Sequence, residues 1–326
     1  MDHATLRAVL GNTGQQFMVA QALLHPRNLH QGKYDFAALI KAQPALAAFV
    51  LTKADGEQSI NFSDNSAVVA LNQALLAHYY QVKFWQLPAG YLCPPVPGRA
   101  DYVHYLADLL AGKDNVIPHG KQVTLVDIGT GANLIYPIIA SSFYGWQVIG
   151  SDIDAVAVKA AQAIVASNPV LRGRVHIIRQ QTAAIFAGVI AAGQFVHLTM
   201  CNPPFYASAA EASAASARKW ANLAKTHSAQ QRNFAGQPHE LWCDGGELAF
   251  ISQMINESLQ FKQQVGWFSS LVSQQKHLTP LQALLKNVGA AQHRIIEMRQ
   301  GQKVSRILAW SFLPPGQQLL HHSGVN

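Results

Sequence analysis

The sequence predicts an α/β protein in which a largely parallel, helix-covered sheet follows a mainly helical N-terminal part. From residue 121 onward, short apolar runs alternate with segments of helical periodicity, as expected for strands joined by crossover helices. A stretch rich in proline and glycine at residues 88–98 separates this region from the preceding helical segments. We therefore predict an N-terminal module at 1–98, a second domain at 99–313 with an insertion at 206–244, and a tail at 314–326.

The composition is that of a globular protein, and its positive charge is concentrated in the second domain. Hydrophobic residues make up 49% of the 326 residues and charged residues 13%. The net charge of +7 arises entirely after residue 120, because residues 1–120 hold eight basic and eight acidic side chains. Between residues 172 and 232, Glu211 is the one acidic residue among seven basic ones. This cluster favours a polyanionic substrate, and an ordinary solvated surface is the alternative.

The three cysteines form no CxxC pair, so neither a disulfide framework nor a zinc site is expected. The N-terminus lacks the pattern of a secretory signal. The most apolar run, at residues 183–193, is shorter than the roughly 20 residues that a membrane-spanning helix needs. We expect a cytoplasmic monomer that binds no metal and no membrane.

The N-terminal module contains a loop, 25–36, that mixes basic, aromatic and polar side chains. Its Arg27 and Lys33 are candidates for contact with a phosphate backbone. The pattern then predicts a helix at 35–51, with Pro44 as a local break or a new helix start, and a second helix at 67–80. A further helix opens at Arg99. A cation disfavours the helix dipole there, so an anionic ligand or an ordinary surface position would explain this arginine.

The second domain shows the alternation expected of strands and crossover helices. The predicted strands are 123–127, 147–151, 175–178, 195–200, 265–269, 293–298 and 305–312. The predicted helices are one that begins near Leu134 and those at 155–167, 183–191, 247–258 and 278–286. The last two strands follow each other directly, which predicts a hairpin at one edge of the sheet.

A glycine-rich turn follows the first of these strands, in the segment Asp127-Ile128-Gly129-Thr130-Gly131. Asp152 ends the second strand, 25 residues after Asp127, where an acid can accept both ribose hydroxyls of a nucleoside. S-adenosylmethionine has that ribose but no pyrophosphate, and the glycines would let the backbone approach its amino acid half. Asp127 can hold that half through its ammonium group or through water. A glycine turn of purely structural use is the alternative.

The fourth strand ends in Asn202-Pro203-Pro204-Phe205, because proline cannot donate to a sheet ladder. Open α/β sheets bind their ligands at the carboxyl ends of the strands. The Asn202 side-chain oxygen and the Pro203 carbonyl can each accept one N–H bond from an exocyclic amino group, while the two prolines keep both acceptors in place. Phe205 offers a face on which a base can stack. This loop predicts methyl transfer to a planar nitrogen.

The insertion 206–244 directly follows that loop, and long loops inside a compact domain are usually functional. It interleaves cations with aromatic rings, which is typical of contacts with nucleic acid. The candidate substrate-binding residues in it are Arg218, Lys219, Trp220 and Arg232.

Several segments carry a family resemblance that covers the chain from His25 to about Phe312. They are His25-Pro26-Arg27-Asn28, Lys33-Tyr34-Asp35-Phe36, the run from Tyr91 to Tyr102, Asp127 to Ala132, Asn202 to Phe205, Glu240-Leu241-Trp242-Cys243 with Gly245-Gly246-Glu247, and Gly301-Gln302-Lys303. On these residues the chain resembles the bacterial large-subunit ribosomal RNA adenine-N6 methyltransferases of the RlmF type. That family is related to the eukaryotic enzyme that methylates a spliceosomal small nuclear RNA.

The resemblance implies a Rossmann-like class I methyltransferase domain with a seven-stranded, mostly parallel sheet and S-adenosylmethionine as cofactor. It also implies one target adenine in 23S ribosomal RNA, position 1618, with free RNA or a large-subunit assembly intermediate as the partner. By position, Arg99 would meet the cofactor carboxylate, Gly129 its methionine part and Asp152 its ribose. Thr182 would lie near the cofactor adenine, and Asn202 would hold the target amino group.

Two other kinds of function stay open on the sequence. Another planar nitrogen could be the methyl acceptor, in DNA adenine, in a small nuclear RNA or in a protein glutamine, because all of these tolerate such a loop. A non-catalytic RNA-binding assembly factor is the alternative from a different class. The intact Gly129, Gly131, Asp152 and Asn202 count against it.

Overall fold

The computed structural model describes residues 24–112, 115–211, 213, 237–300 and 303–319. Seven longer helices occur in these ranges: α1 (Phe36–Ala42), α2 (Asn65–Tyr80), α3 (Val96–Ala111), α4 (Ile135–Tyr144), α5 (Ala155–Ser167), α6 (Gly246–Ser258) and α7 (Leu278–Asn287). Short helical turns lie at Pro44–Phe49, Pro238–Leu241, Leu259–Phe261 and Gln275–His277. Among the described residues, no helix is both long and apolar enough to span a membrane.

The strands form a small hairpin and one large sheet. The hairpin pairs β1 (Val50–Thr52) with β2 (Gln58–Ile60). The sheet has the order β5-β4-β3-β6-β7-β9-β8. Its strands are β3 (Thr124–Ile128), β4 (Gln147–Asp152), β5 (Val175–Arg179), β6 (Val196–Cys201), β7 (Val265–Val272), β8 (Gln292–Gln300) and β9 (Lys303–Ser311).

The first five strands of the sheet are parallel, and β9 and β8 complete it as an antiparallel hairpin at one edge. Every residue of the central strands β6 and β7 is buried, as expected for strands covered on both faces. This confirms the predicted α/β class, the mostly parallel seven-stranded sheet and the edge hairpin. The parallel order brings the carboxyl ends of β4, β3 and β6 side by side, with Ile128 paired to both Ser151 and Cys201.

The helix predicted at 35–51 is interrupted at Pro44 as predicted, but its last two residues, Val50 and Leu51, belong to strand β1. The Asp35 carboxylate accepts a hydrogen bond from the Ala38 N–H and begins α1, but the helix ends at Ala42. Pro44 cannot donate a helical hydrogen bond, so the chain continues as a short 3₁₀ turn and then as β1. The next helix, α2, begins at Asn65, where the Asp64 carboxylate accepts a hydrogen bond from the Ser66 N–H.

The N-terminal helices share one hydrophobic core with the sheet. Buried side chains of α1, α2 and α3, such as Leu39, Leu75 and Leu106, belong to the same cluster as Leu125 and Leu198 of the sheet. Helix α3 begins at Val96 with Pro97 in its first turn, so the proposed boundary between 98 and 99 lies inside this helix. This continuity lets α3 carry side chains to the carboxyl ends of the strands.

The helix predicted at 183–191 is wrong. The connection from β5 to β6 contains turns, with Gly188 at a φ of 83°. The Glu257 carboxylate on α6 accepts hydrogen bonds from the N–H groups of Ile185, Phe186 and Ala187, at 2.7–2.9 Å. The apolar side chains of this segment, including the fully buried Phe186, pack without a helix because a distant carboxylate satisfies its backbone donors.

The first part of the predicted tail packs against the sheet. The Gln318 side chain is buried and donates hydrogen bonds to the carbonyls of Leu313 and Pro314. The Gln318 carbonyl oxygen lies 2.5 Å from the point that a Cβ on Gly266 would occupy, so β7 requires glycine at this position. Residues 315–319 therefore continue the fold beyond β9.

Replacement of Glu257 by alanine should destabilise the protein by about 2–4 kcal/mol, because three backbone donors lose their acceptor. Urea unfolding followed by circular dichroism measures this change. Gln253→Ala is the matched control, since the exposed Gln253 makes one hydrogen bond, from its amide to the Ala183 carbonyl of the same segment. Equal losses in the two variants would contradict the role assigned to Glu257.

Candidate active site

The carboxyl ends of β3, β4 and β6 bring the main predicted site residues to one edge of the sheet. Asp127 is the penultimate residue of β3, Asp152 ends β4, and Asn202 follows β6 directly. Strand β3 lies between the other two. The glycine-rich turn and the Asn202 loop are therefore neighbours, although 71 positions separate Gly131 from Asn202 in the sequence. Such an edge is where open α/β sheets bind ligands.

The glycine-rich turn has a conformation that requires its glycines. Gly129 and Gly131 have φ values of 71° and 65°, in the left-handed region that side chains rarely adopt. The N–H groups of Gly129 and Thr130 donate to the Ser151 carbonyl at 2.9 Å, and the Gly131 N–H donates to the Asp152 carboxylate at 2.8 Å. These bonds fix the turn against the end of β4.

Asp152 is held by backbone donors from two elements. One carboxylate oxygen accepts the Gly131 N–H, and the other accepts the Asp154 N–H at 2.9 Å. The side chain is buried but lies at the rim of the sheet edge. Each oxygen of an ionised carboxylate can accept more than one hydrogen bond, so Asp152 can also accept from ribose hydroxyls. Ile153 beside it is 58% exposed and offers an apolar surface at the same rim.

Asp127 is a fully buried carboxyl group. Burial raises its pKa to about 7, and the charge of Asp152 adds to this rise. The Thr130 hydroxyl and the charge of Arg99 act in the opposite direction and lower the pKa. Neither carboxylate oxygen has a hydrogen-bond donor in good geometry among the described residues. A buried acid without a partner is costly, and an ammonium group placed over the glycine turn would supply the missing donor.

Arg99 lies on α3 and faces the same end of the sheet. Its guanidinium donates to the Tyr136 hydroxyl at 3.0 Å and lies 5.7 Å from the centre of the Tyr136 ring. Its charge is close enough to lower the pKa of Asp127. Burial raises the pKa of Tyr136 to about 12, so this hydroxyl stays neutral and can accept from Arg99. A cation at this place suits a carboxylate ligand.

The Asn202 side chain presents a buried acceptor. Its Oδ1 atom is buried and has no hydrogen-bond donor within the described part of the chain. Cys201 immediately precedes Asn202, and the buried Tyr102 hydroxyl lies within 3.5 Å of the backbone N and O atoms of Cys201. The same hydroxyl lies 2.9 Å from Ser269 Oγ. Complete burial raises the pKa of Tyr102, so the hydroxyl stays protonated. Tyr102 on α3 thus fixes the start of the loop.

The far end of this loop is held by the segment 237–243. The N–H groups of Phe205 and Tyr206 both donate to the Leu241 carbonyl, at 3.1 and 3.0 Å, and the Cys243 N–H donates to the Tyr206 carbonyl. Pro203 is buried, and Phe205 is half-buried. The loop is therefore held at both ends, and part of the Phe205 side chain stays accessible.

Three other predicted site residues within the described part of the chain are Thr182, Arg27 and Lys33. Thr182 is exposed just after β5 and bonds Gln180 Oε1 at 3.1 Å, so it lies on the same side of the sheet. Arg27 is paired with Asp108 at 2.7 Å and also bonds Tyr144 and the His104 carbonyl, which gives it a structural role. The largely exposed Lys33 lies 3.3 Å from Glu57. Substrate contact by Arg27 and Lys33 stays a prediction.

Four predicted substrate contacts lie outside the described residues: Arg218, Lys219, Trp220 and Arg232. Within the described ranges, no group of three His, Cys, Asp or Glu side chains is arranged to hold a metal ion.

The sequence reasoning assigned no role to Tyr91, Tyr102, Tyr136 and Glu240, which all contribute to this site. The Tyr91 hydroxyl donates to the Asp154 carboxylate. Glu240 accepts hydrogen bonds from the N–H groups of Leu92, at 3.3 Å, and Gln237, at 2.7 Å. Tyr91, Tyr102 and Glu240 lie in segments that carried the family resemblance, which was the available signal for them.

A family model described as RNA methyltransferase matches residues 18–314. The chain belongs to this family. A "Ribosomal RNA large subunit methyltransferase F" from Psychrobacter arcticus is 51% identical over 312 residues, covering 89% of this chain and 90% of that protein. A protein of the same name from Desulfotalea psychrophila is 53% identical over 298 residues, covering 90% and 96%. The family resemblance seen in the sequence is thereby confirmed.

Solved structures of human METTL16 share this fold. The catalytic domain in complex with MAT2A 3'UTR hairpin 1 has a TM-score of 0.76 and 28% identity, covering 90% of this chain and 96% of that one. The N-terminal domain in complex with SAH has a TM-score of 0.69 and 26% identity, covering 89% and 99%. These domains confirm the class I methyltransferase fold of the central sheet and its flanking helices.

The raised pKa of Asp127 predicts a pH-dependent change in stability. The folded protein binds a proton at this site more tightly than the unfolded chain, so the contribution of Asp127 to the free energy of unfolding falls as pH rises from 3.8 to about 7. Asp127→Asn should therefore raise the melting temperature of the ligand-free protein by a few degrees at pH 8, and by less at pH 5.

The control for this measurement is Asp64→Asn, which changes a less buried acid that caps α2 and should leave the melting temperature unchanged. An increase in melting temperature for Asp127→Asn that is no larger at pH 8 than at pH 5 would contradict this prediction. It would show that burial of the ionised Asp127 carboxylate does not destabilise the protein.

Proposed function

We propose that this protein transfers a methyl group from S-adenosylmethionine to the exocyclic N6 amino group of an adenine in large-subunit ribosomal RNA. The observation that carries this proposal is the buried Asn202 Oδ1 atom, which lacks a donor among the described residues and lies on a double-proline loop. An N–H group of a bound base would supply the donor.

The residues at the carboxyl ends of β3, β4 and β6, together with Arg99 on α3, fit S-adenosylmethionine. Asp127 offers a buried acceptor for an ammonium group, Arg99 a cation for a carboxylate, and Asp152 an acceptor for ribose hydroxyls. The left-handed turn at Gly129 and Gly131 leaves the backbone open to a closely bound ligand. The cofactor adenine would lie toward β5, beside Ile153 and Thr182. The METTL16 domain in complex with SAH has the same fold and supports this choice of cofactor.

The methyl donor supplies an electrophilic methyl group when it is bound. The adenine amino group is a weak nucleophile because its lone pair is delocalised into the ring. Asn202 Oδ1 and the Pro203 carbonyl would each accept one of its N–H bonds, which turns the nitrogen lone pair toward the methyl group. The same two acceptors stabilise the positive charge that develops on nitrogen as the new bond forms. Phe205 would hold the base by stacking.

Proton release needs no strong base in this site. The neutral amide of Asn202 accepts a hydrogen bond but takes no proton at neutral pH. Methylation of the nitrogen makes its N–H groups acidic, so one proton passes to water and the neutral N6-methyl base remains. Most of the rate enhancement would come from holding the amino group in line with the methyl group, which the double anchoring of the loop by Tyr102 and Leu241 supports.

Ribosomal RNA is the substrate that the relatives favour. Curated proteins that are about half identical to this chain carry the name ribosomal RNA large subunit methyltransferase F. A METTL16 catalytic domain of the same fold is in complex with an RNA hairpin. The net charge of +7 suits a polyanion. We propose 23S ribosomal RNA, free or in an assembling large subunit, and therefore a cytoplasmic place of action.

Asn202→Ala should lower methyl transfer to 23S ribosomal RNA by about 10²–10³-fold, because one acceptor of the developing charge is lost. The RNA is isolated from cells that lack the protein, and transfer is followed with a labelled methyl group. Calorimetry should show that the variant binds S-adenosylhomocysteine within about twofold of the native affinity, since Asn202 faces the base.

Asn287→Ala is the matched control, because Asn287 is exposed at the end of α7 and should tolerate the change without loss of activity. Native turnover in Asn202→Ala would refute the proposed mechanism. Activity on DNA or protein glutamine, with none on 23S ribosomal RNA, would refute the proposed substrate.

A further inference from the structure

The segment 237–243 connects the two halves of the active site. It contains the short helical turn Pro238–Leu241 and directly precedes the glycines that begin α6. Two adjacent residues of the segment make different contacts, Glu240 with the glycine-rich turn and Leu241 with the loop that follows Asn202.

Glu240 anchors this segment at the cofactor side. One carboxylate oxygen accepts hydrogen bonds from the N–H groups of Gln237 and Leu92. The other, Oε1, lies 3.7 Å from the point that a Cβ on Gly131 would occupy. The carboxylate therefore reaches the face of the glycine-rich turn over which the amino acid half of the cofactor is proposed to bind.

Carboxylates are concentrated around this position. Burial raises the pKa of Tyr91, and its hydrogen bond to Asp154 and the charges of Asp154, Glu240 and Asp152 raise it further. These three acids therefore lie close enough to one side chain to affect it electrostatically. Like charges repel, so a cation bound at the glycine-rich turn would relieve this repulsion and favour the position of the segment.

The same segment also holds the loop at residues 202–206, here named the target-base loop. The residue after Glu240, Leu241, accepts hydrogen bonds from both Phe205 and Tyr206, and Tyr206 forms an isolated bridge with Trp242. A Cβ on Gly246 would lie only 3.2 Å from the Ala207 nitrogen, which shows how closely this chain approaches the loop. Any shift of Glu240 is therefore transmitted over one residue to the backbone that carries Phe205.

We propose that Glu240 couples cofactor binding to the target-base loop: its carboxylate accepts hydrogen bonds from the cofactor ammonium, and the segment that it anchors holds Phe205 and Tyr206 in place for the adenine. This inference rests on the proposed function. Glu240 acts on the base through the backbone of Leu241, so it is a positioning residue for the methyl acceptor and a binding residue for the donor. Cofactor and RNA should then bind cooperatively.

The test uses the full chain, S-adenosylhomocysteine and 23S ribosomal RNA from cells that lack the protein. In the native protein, S-adenosylhomocysteine should raise the affinity for RNA by at least about fivefold. Glu240→Gln keeps an oxygen for Leu92 and Gln237 but removes the charge. It should weaken S-adenosylhomocysteine binding about tenfold, since a charge-assisted hydrogen bond is lost, and should reduce the coupling factor to near one.

Glu211→Gln is the matched control. Glu211 accepts a hydrogen bond from the Ala207 N–H on the same stretch of chain, but it is exposed and belongs to none of the contacts with the glycine-rich turn found among the described residues. This variant should keep native cofactor affinity and native coupling. Native affinity and native coupling in Glu240→Gln would overturn the inference.

Trp242 supplies a second readout that does not depend on RNA. S-adenosylhomocysteine should change the tryptophan fluorescence of the native protein, and Trp242→Phe should abolish that change, because the segment shifts when the ammonium binds Glu240. A fluorescence response that is identical in Trp242→Phe would overturn the inference even if Glu240→Gln failed to fold. If the fluorescence responds but 23S ribosomal RNA does not bind, the proposed substrate is wrong, whereas the contact between Glu240 and the cofactor stands.

Discussion

The buried carboxyl group of Asp127 imposes the main physical constraint on this structure. Burial raises its pKa to about 7, and neither oxygen has a donor in good geometry within the described ranges. The arrangement is costly in the ligand-free protein, and a cation over the glycine-rich turn relieves it. Asp152 and Glu240 approach the same turn, and Arg99 is close enough to lower the pKa of Asp127. The proposed cofactor site therefore surrounds a carboxyl group that the described residues leave poorly compensated.

The Asn202 loop depends on two anchors that come from distant parts of the sequence. Tyr102 on α3 bonds the backbone of Cys201 from below, and Leu241 accepts from the two residues that end the loop. Helix α3 belongs to the core that joins the N-terminal helices to the sheet. The N-terminal helices therefore help to hold the Asn202 loop in position through α3.

Local patterns predicted the strands and the loop, and long-range contacts account for what they missed. The parallel strands are continuous apolar runs and the loop is defined by its own prolines, so each could be recognised within a few residues. The connection 183–191 has apolar spacing typical of a helix, but its donors are satisfied by Glu257, some seventy residues away. The pairing of Arg27 with Asp108 was not predicted, because the two residues lie 81 positions apart in the sequence. The closeness of Glu240 to Gly131 could not be predicted, because the two residues are far apart in the sequence and only the fold brings them together.

We propose that this chain places one N6-methyl group on an adenine of 23S ribosomal RNA. Mapping N6-methyladenine across all ribosomal RNA from cells that lack the protein tests it most directly, with the native protein and Asn202→Ala reintroduced in parallel. We expect that one N6-methyladenine in 23S ribosomal RNA disappears, returns with the native protein and stays absent with the variant. An unchanged map in the cells that lack the protein would contradict it.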